Sequence, residues 1–319
     1  MDTTSAIQQL QQGTSVHPAH SPGMPMTPAF GGELEMLMVE LNGRRRRITL
    51  ERRGPRTAPL WLLLPALSTV SSRSEWQPLA EEVGDRRQLL SFDWPGFGDS
   101  DRDAISYSPE SMQAALHAVL EHLGRERSQW ITVIAAGHST PIALGQAATW
   151  SSRWRKLVAV APTWRGPLPT MSGWPPQRFG WLRRLVMLPL IGPLLYRLNT
   201  SLPVLRLMLR RHVWVNSAWL TPERLQQQQR LARRPRARFA SAAFVSGSLD
   251  RTTDPHWWRR ETHTLQCPLH VVVASEAPPR SRGSMQQLAQ DADQVTFIPG
   301  RLGLHQEFGA LLARTLLAG

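Results

Sequence analysis

The stretch Ile131-Thr132-Val133-Ile134-Ala135-Ala136-Gly137-His138-Ser139-Thr140-Pro141-Ile142-Ala143-Leu144 decides the fold. Its first five residues are apolar or β-branched, as expected of a strand buried on both faces of a parallel sheet. Small residues follow at Ala135, Ala136 and Gly137, and a helical run extends from Thr140 through Ala148. A strand that breaks into a helix through small residues has the geometry of a nucleophile elbow. There one residue sits on a strained turn beside the N–H groups of the helix start. Gly137-His138-Ser139-Thr140-Pro141 misses the G-x-S-x-G signature by one residue, with Pro141 where the second glycine belongs.

Working outward, strands and helices alternate. Leu60–Leu64 reads as a buried strand, residues 76–83 as a helix and 89–92 as a strand. A tight loop over 93–101 follows. Tyr107-Ser108-Pro109-Glu110 opens a helix with a hydroxyl cap and a first-turn proline. Met112, Leu116, Val119, Leu120 and Leu123 give that helix one buried face. Residues 156–161 form a further strand, apolar after Lys156. This alternation predicts an α/β fold with a mostly parallel, doubly wound sheet. Upstream, residues 35–40 and 46–51 pair as a hairpin across Asn42-Gly43. Residues 1–32, rich in Gln, Ser, Thr, Pro and Gly, read as a disordered tail.

The chain has 319 residues, enough for one domain over residues 33–319, and a formal charge of +13. Lys156 is the only lysine, so the positive charge is arginine, scattered along the chain. Arg44-Arg45-Arg46-Arg47 carries no interleaved aromatics and reads as a solvated hairpin end, which argues against nucleic acid. Cys267 is the single cysteine, so no internal disulfide forms, and the expected compartment is the reducing cytoplasm. No apolar run reaches ~18 residues, and the start of the chain lacks the basic and apolar regions of a signal peptide. No nucleotide, flavin or metal motif is present, so no cofactor is expected.

The order of these segments resembles the α/β-hydrolase superfamily. Asp93-Trp94-Pro95-Gly96-Phe97-Gly98-Asp99-Ser100 matches that family's D-x-P-G-x-G-x-S loop. More narrowly, Pro65-Ala66-Leu67-Ser68-Thr69, Ala277-Pro278-Pro279-Arg280-Ser281-Arg282 and Arg301-Leu302-Gly303-Leu304-His305 look like a cyanobacterial and plastid-type branch, for which the resemblance implies no firm activity. Serine acyl transfer requires a nucleophile on the elbow, a histidine base, an orienting carboxylate and two N–H donors for the oxyanion. Laid without gaps against the family pattern, Gly137 falls in the serine's place, with Ala135 and Ser139 as flanking small residues. The alternative, Ser139 as nucleophile, deletes two residues from a helix and rotates its buried face by about 200°. With Gly137 at the elbow, Ser139 becomes a first-turn cap beside His138 and Thr140.

The resemblance degrades elsewhere too. The usual His-Gly after the strand Leu60–Leu64 is Pro65-Ala66, followed by Leu67. Ala277 falls on the expected acid, with Glu276 adjacent and Asp250 a substitute unless it is a surface-loop aspartate. His305 follows Gly303-Leu304 near the expected base position, where it either swings to the elbow or caps the last helix beside Glu307.

Residues 163–262 occupy the position of a helical lid and hold Trp164, Trp174, Trp181, Trp214, Trp219, Trp257 and Trp258. Their apolar stretch 185–196 is broken by Pro189 and Pro193 and flanked by arginines. Such a segment lies on an anionic membrane surface or, the plainer expectation, packs as the inner face of a lid over an apolar pocket. Residues 226–238 read as a solvated polar helix and basic turn. Two functions follow. One is a protein with a degraded triad that binds a hydrophobic, lipid- or isoprenoid-like ligand or a partner. The other is an esterase or lipase using Ser139 and His305 with Glu276 or Asp250.

Overall fold

The computed structural model describes residues 26–126, 130–251, 254 and 256–319. One eight-stranded sheet runs in the order β1-β2-β4-β3-β5-β6-β7-β8. Its strands are β1 (Glu33–Leu41), β2 (Arg44–Arg53), β3 (Leu60–Leu64), β4 (Gln88–Phe92), β5 (Ile131–Ala136), β6 (Trp154–Val160), β7 (Leu269–Ala274) and β8 (Gln294–Ile298). The pairings β1–β2 and β2–β4 are antiparallel, and all the others are parallel. Every residue of β3, β4 and β7 is buried, which is why these strands read as continuous apolar runs.

The hairpin closes where the sequence places it. Leu41 pairs with Arg44, and Asn42 (φ 52°) and Gly43 (φ 70°) form the two-residue turn. Two positive φ values suit Asn-Gly and match the right-handed strand twist. The reading of the arginine run as wholly solvated is corrected at Arg46. Alternation along β2 turns it inward, where it is 3 % exposed and its Nε donates to Asp103 at 2.8 Å.

Helices α1 (Gln77–Val83), α2 (Pro109–Glu126), α3 (Ser139–Leu144) and α4 (Ala147–Trp150) belong to the first half of the chain. The expected single helix after β5 is broken at Gly145-Gln146. A Cβ on Gly145 would lie 1.8 Å from Arg251 Nη1 and 2.0 Å from Gln113 Nε2, so the gap admits both side chains.

Between β6 and β7 come α5 (Pro167–Ser172), α6 (Gly180–Met187), α7 (Ile191–Asn199), α8 (Leu202–Met208), α9 (Pro222–Ala232), α10 (Arg238–Val245) and α11 (Trp257–Thr262). Then follow α12 (Pro279–Ala289), α13 (Leu304–Glu307) and α14 (Gly309–Ala318). The insertion is fastened by Glu307, whose carboxylate accepts from Val215 N (2.9 Å) and Asn216 N (2.6 Å). It has its own apolar cluster of Leu205, Leu209, Trp214, Leu220 and Leu225.

A buried charge network explains the D-x-P-G-x-G-x-S loop. Arg73 Nε donates to Glu51 (2.9 Å), and its Nη1 donates to Asp93 and to Asp99 (2.8 Å). Arg73, Glu51 and Asp93 are at most 1 % exposed. Gly98 (φ +49°) crosses so close that a Cβ would lie 2.1 Å from Asp93 Cγ. Arg234 of the insertion reaches the same network at Asp99, so residues 226–238 are not wholly solvated.

Residues 1–25 of the expected disordered tail lie outside the described residues. The remainder docks instead of staying disordered. The N–H groups of Ala29, Phe30 and Gly32 donate to Glu51, and Phe30 is 2 % exposed.

Replacing Arg73 by Leu leaves Glu51 and Asp93 buried without their counter-charge. Chemical denaturation should register a loss of about 3–5 kcal/mol, and a loss below about 1 kcal/mol would show that water or rearrangement satisfies the carboxylates.

Candidate functional site

β5 ends at Ala136 and α3 begins at Ser139, so Gly137 and His138 make the turn. Gly137 has φ +52°, in the left-handed region that strains an L side chain and leaves glycine unstrained. Its N–H donates to Val160 O (2.9 Å), and its carbonyl accepts from Thr140 N (3.3 Å) and Thr163 N (3.2 Å). A Cβ on residue 137 would stand 3.3 Å from Ala66 Cβ and 3.9 Å from Thr163 Oγ1. A side chain on this turn would therefore project past the end of β3 and towards the start of the insertion.

Ser139 is the first helical residue and is fully buried. Its hydroxyl faces three carbonyl oxygens: Ala136 at 2.6 Å, Pro65 at 3.0 Å and Leu64 at 3.2 Å. Having one proton, it donates to these acceptors in competition and ties the start of α3 to the ends of β3 and β5. The expected cap role is thereby corrected, because His138 is the N-cap and Ser139 meets carbonyls instead of helix N–H groups. Thr140 Oγ1 likewise donates to Ala135 O at 3.3 Å.

Pro65-Ala66-Leu67 closes β3 against a residue that sequence reading missed. Ala66 N donates to Glu75 Oε2 at 2.9 Å, and the same oxygen lies 3.0 Å from His305 Nε2. Glu75 is 5 % exposed and His305 1 %. Burial raises the Glu75 pKa, opposed by the hydrogen bonds from His305 and Ala66. The His305 ring packs 5.0 Å from Trp76. His305 thus pairs with Glu75 and does not cap the last helix. The signal for Glu75 is weak: it lies in a polar, serine-rich tract, Ser71 to Trp76, that opens a helix.

Asp250 lies in the interior, against its expectation as a surface-loop residue. Its side chain is 1 % exposed, and Oδ1 accepts from Gly166 N at 2.8 Å and sits 3.3 Å from His138 Nε2. The same imidazole nitrogen is 3.3 Å from Leu249 O. Burial pushes Asp250 up to about 8 and His138 down to about 4. Near neutral pH both are uncharged, so their approach is a polar contact and not an ion pair.

Glu276 is exposed, with its N–H donating to Gly300 O at 3.0 Å, and Ala277 beside it is 4 % exposed. Ser139, His305, Glu276 and Asp250 make no hydrogen bond to one another among the described residues. Two polar dyads form here, Glu75–His305 and His138–Asp250. Among the described residues, no group of three or more His, Cys, Asp or Glu is arranged to hold a metal ion.

A cleft of about 440 Å³ opens beside this region at the C-terminal ends of β6 and β7. Thr163, Trp164 and Arg165 line one wall, and Arg280, Ser281 and Ser284 the other. Trp164 Nε1 donates to Ser284 Oγ across it at 3.2 Å, and the Arg165 guanidinium lies 4.5 Å over the Trp164 ring. In open α/β sheets this is the edge where ligands bind.

A mostly parallel α/β sheet with a helical insertion between β6 and β7 and a strand–turn–helix at its centre defines the class of protein. The profile of the alpha/beta hydrolase family matches residues 61–307, and the chain belongs to that family. No curated protein matches the sequence as a relative. Among solved structures, the enol-lactonase of Burkholderia xenovorans is 15% identical, covering 88% of this chain and 98% of its own, with TM-score 0.65. The malate-bound thermophilic esterase of Thermogutta terrifontis is 19% identical (89% and 97% covered, TM-score 0.64). The bromoperoxidase of Bacillus anthracis is 15% identical (89% and 99% covered, TM-score 0.64). At these identities the likeness is one of fold.

The Asp250 pKa gives a signed prediction. With its folded pKa raised from the usual carboxylate range to about 8, the native state holds a proton that the unfolded chain has released. Stability carried by that proton is full below the ordinary carboxylate pKa and is lost as pH rises towards about 8. Asp250→Asn should remove this loss, so its melting temperature should gain on the wild type between pH 5 and 8. Parallel melting curves across that range would refute the buried neutral acid.

Proposed function

We propose that this α/β-hydrolase family member has lost serine acyl transfer and uses its fold to bind a hydrophobic, lipid- or isoprenoid-like ligand. The observation that carries the reading is the pairing of Gly137 at the positive-φ turn with the Glu75 carboxylate on the Ala66 N–H. A nucleophile is missing where the turn would present one. The amide at the end of β3, where the resemblance implies an oxyanion donor, already has a charge-capable acceptor. Ser139 supports the same conclusion, because its hydroxyl is buried against carbonyl oxygens and no base touches it. The narrower resemblance to the cyanobacterial and plastid-type branch belongs to this reading.

The β6–β7 cleft is the ligand's place in this proposal. Trp164 offers an apolar wall, and Arg165 and Arg280 suit an anionic end, so an amphiphile fits better than a bare hydrocarbon. Gly283 lines the cleft with open space where a Cβ would stand, so bulk can be added there without a clash. Gly283→Trp should weaken binding of a fluorescent fatty acid at least ~10-fold with an unchanged melting temperature. Equal binding in the folded variant would remove the cleft from the proposal.

The acyl-transfer arm is tested with a fluorophosphonate probe. Purified protein should remain unlabelled, and Ser139→Ala should fold with a loss on the order of 1 kcal/mol from the deleted buried hydrogen bond. Stoichiometric labelling that vanishes in Ser139→Ala would restore a carboxylic-ester hydrolase using Ser139 and His305 with Glu276 or Asp250.

A further inference from the structure

The apolar stretch of the insertion faces outwards. Leu188, Leu190, Ile191, Leu194 and Leu198 are 43, 85, 47, 71 and 68 % exposed, and Trp181 is 62 % exposed. The expectation that residues 185–196 pack as the inner face of a lid is corrected for these side chains. On α7 the exposed set Ile191, Leu194 and Leu198 follows the i, i+3, i+7 spacing of one helix face. The opposite side is already engaged, since Tyr196 Oη donates to Ala232 O at 2.9 Å and Gly192 crosses the Val186 carbonyl too closely for any Cβ. Val186 is 8 % exposed, and its carbonyl accepts from Arg238 Nε at 3.2 Å. This hairpin of α6 and α7 is therefore apolar on both sides, and packing within the chain accounts for only one of them.

The charge of the segment identifies what covers the other. No Asp or Glu occurs between Glu126 and Glu223. Arg178, Arg184, Arg197, Arg206, Arg210 and Arg211 are exposed within the insertion. A second copy seated isologously would bring two arginine-rich rims together, with no acid in the segment to pair them. An anionic lipid surface supplies both requirements at once: acyl chains for Leu190, Ile191, Leu194 and Leu198, and phosphate for the arginines. Trp181, exposed on α6, adds an amphipathic ring of the kind favoured at a bilayer interface. Among the described residues no helix is long and apolar enough to cross a membrane, so the contact lies in the interface plane.

We infer that the outward face of α6, the 188–190 connection and α7 docks on the surface of an anionic bilayer. Sedimentation of the full chain with phosphatidylcholine vesicles, with and without phosphatidylglycerol, tests this. The protein should pellet with the anionic vesicles and weaken on the order of 10-fold between low and physiological salt. Brominated acyl chains should quench its tryptophan fluorescence, and Trp181→Phe should remove much of that quenching. The double variant Leu190→Glu, Leu194→Glu should lose at least ~10-fold in partitioning while keeping its melting temperature, because both side chains are solvent-facing. Phe297→Glu on exposed β8 should bind as the wild type does. Failure to pellet with anionic vesicles would overturn the inference, as would equal binding to neutral ones. So would a dimer, seen by light scattering, that the double variant dissociates, because the face would then belong to a second copy. None of these readouts depends on the cleft or on acyl transfer.

Discussion

A single buried carboxylate holds the centre of this molecule together. Glu75 accepts the Ala66 N–H at the end of β3 and meets His305 on α13, joining parts of the chain 230 residues apart. Buried carboxylates are tolerated only where hydrogen bonds or opposite charge offset the lost hydration. Here an amide and an imidazole do so, and the Trp76 ring shields the imidazole. The same contacts engage an amide donor and a histidine, which is what the proposed loss of acyl transfer rests on. The Glu75 oxygen is shared between the two donors, while His305 Nδ1 is buried with no hydrogen-bond partner among the described residues.

Gly137 and Glu75 are complementary. A positive-φ turn is still required to carry β5 into α3, and its hydrogen bonds to Val160 and Thr163 fix its path. Glycine takes that φ without strain, so the turn holds its path with no side chain. Ser139, two residues on, directs its proton at main-chain oxygens at the ends of β3 and β5.

The fold was legible because its signals are local. β3, β4 and β5 announce themselves as short apolar runs, and Asn42-Gly43 specifies its own hairpin turn. The D-x-P-G-x-G-x-S loop was legible as a pattern, but its cause was not. Gly98 is demanded by the approach to Asp93, and Asp93 by Arg73, 20 residues earlier. The site was legible where one residue sufficed, as with Gly137, and hidden where two distant residues had to meet. Nothing in the sequence near His305 indicates Glu75, and nothing near His138 indicates that Asp250 will be buried beside it. The direction in which the 185–196 leucines face was equally hidden. Periodicity locates an apolar face but does not say whether protein or another medium covers it.

What each side of α7 touches bears on that question. A soluble helix places apolar residues against its neighbours and polar ones outside, so a helix apolar on both sides loses hydration free energy that its own fold does not recover. Mutation would readily replace Leu190 or Leu194 with a polar residue at no cost to packing, because neither packs. Leucines there, beside exposed arginines and within a segment free of acids, suit the inferred partner that is apolar and negatively charged together. A bilayer surface has that composition, and one wall of the cleft beside Trp164 belongs to the same insertion that would rest on it. An amphiphile leaving such a surface would encounter arginine and tryptophan at both places, the chemistry that an anionic head and an apolar tail require.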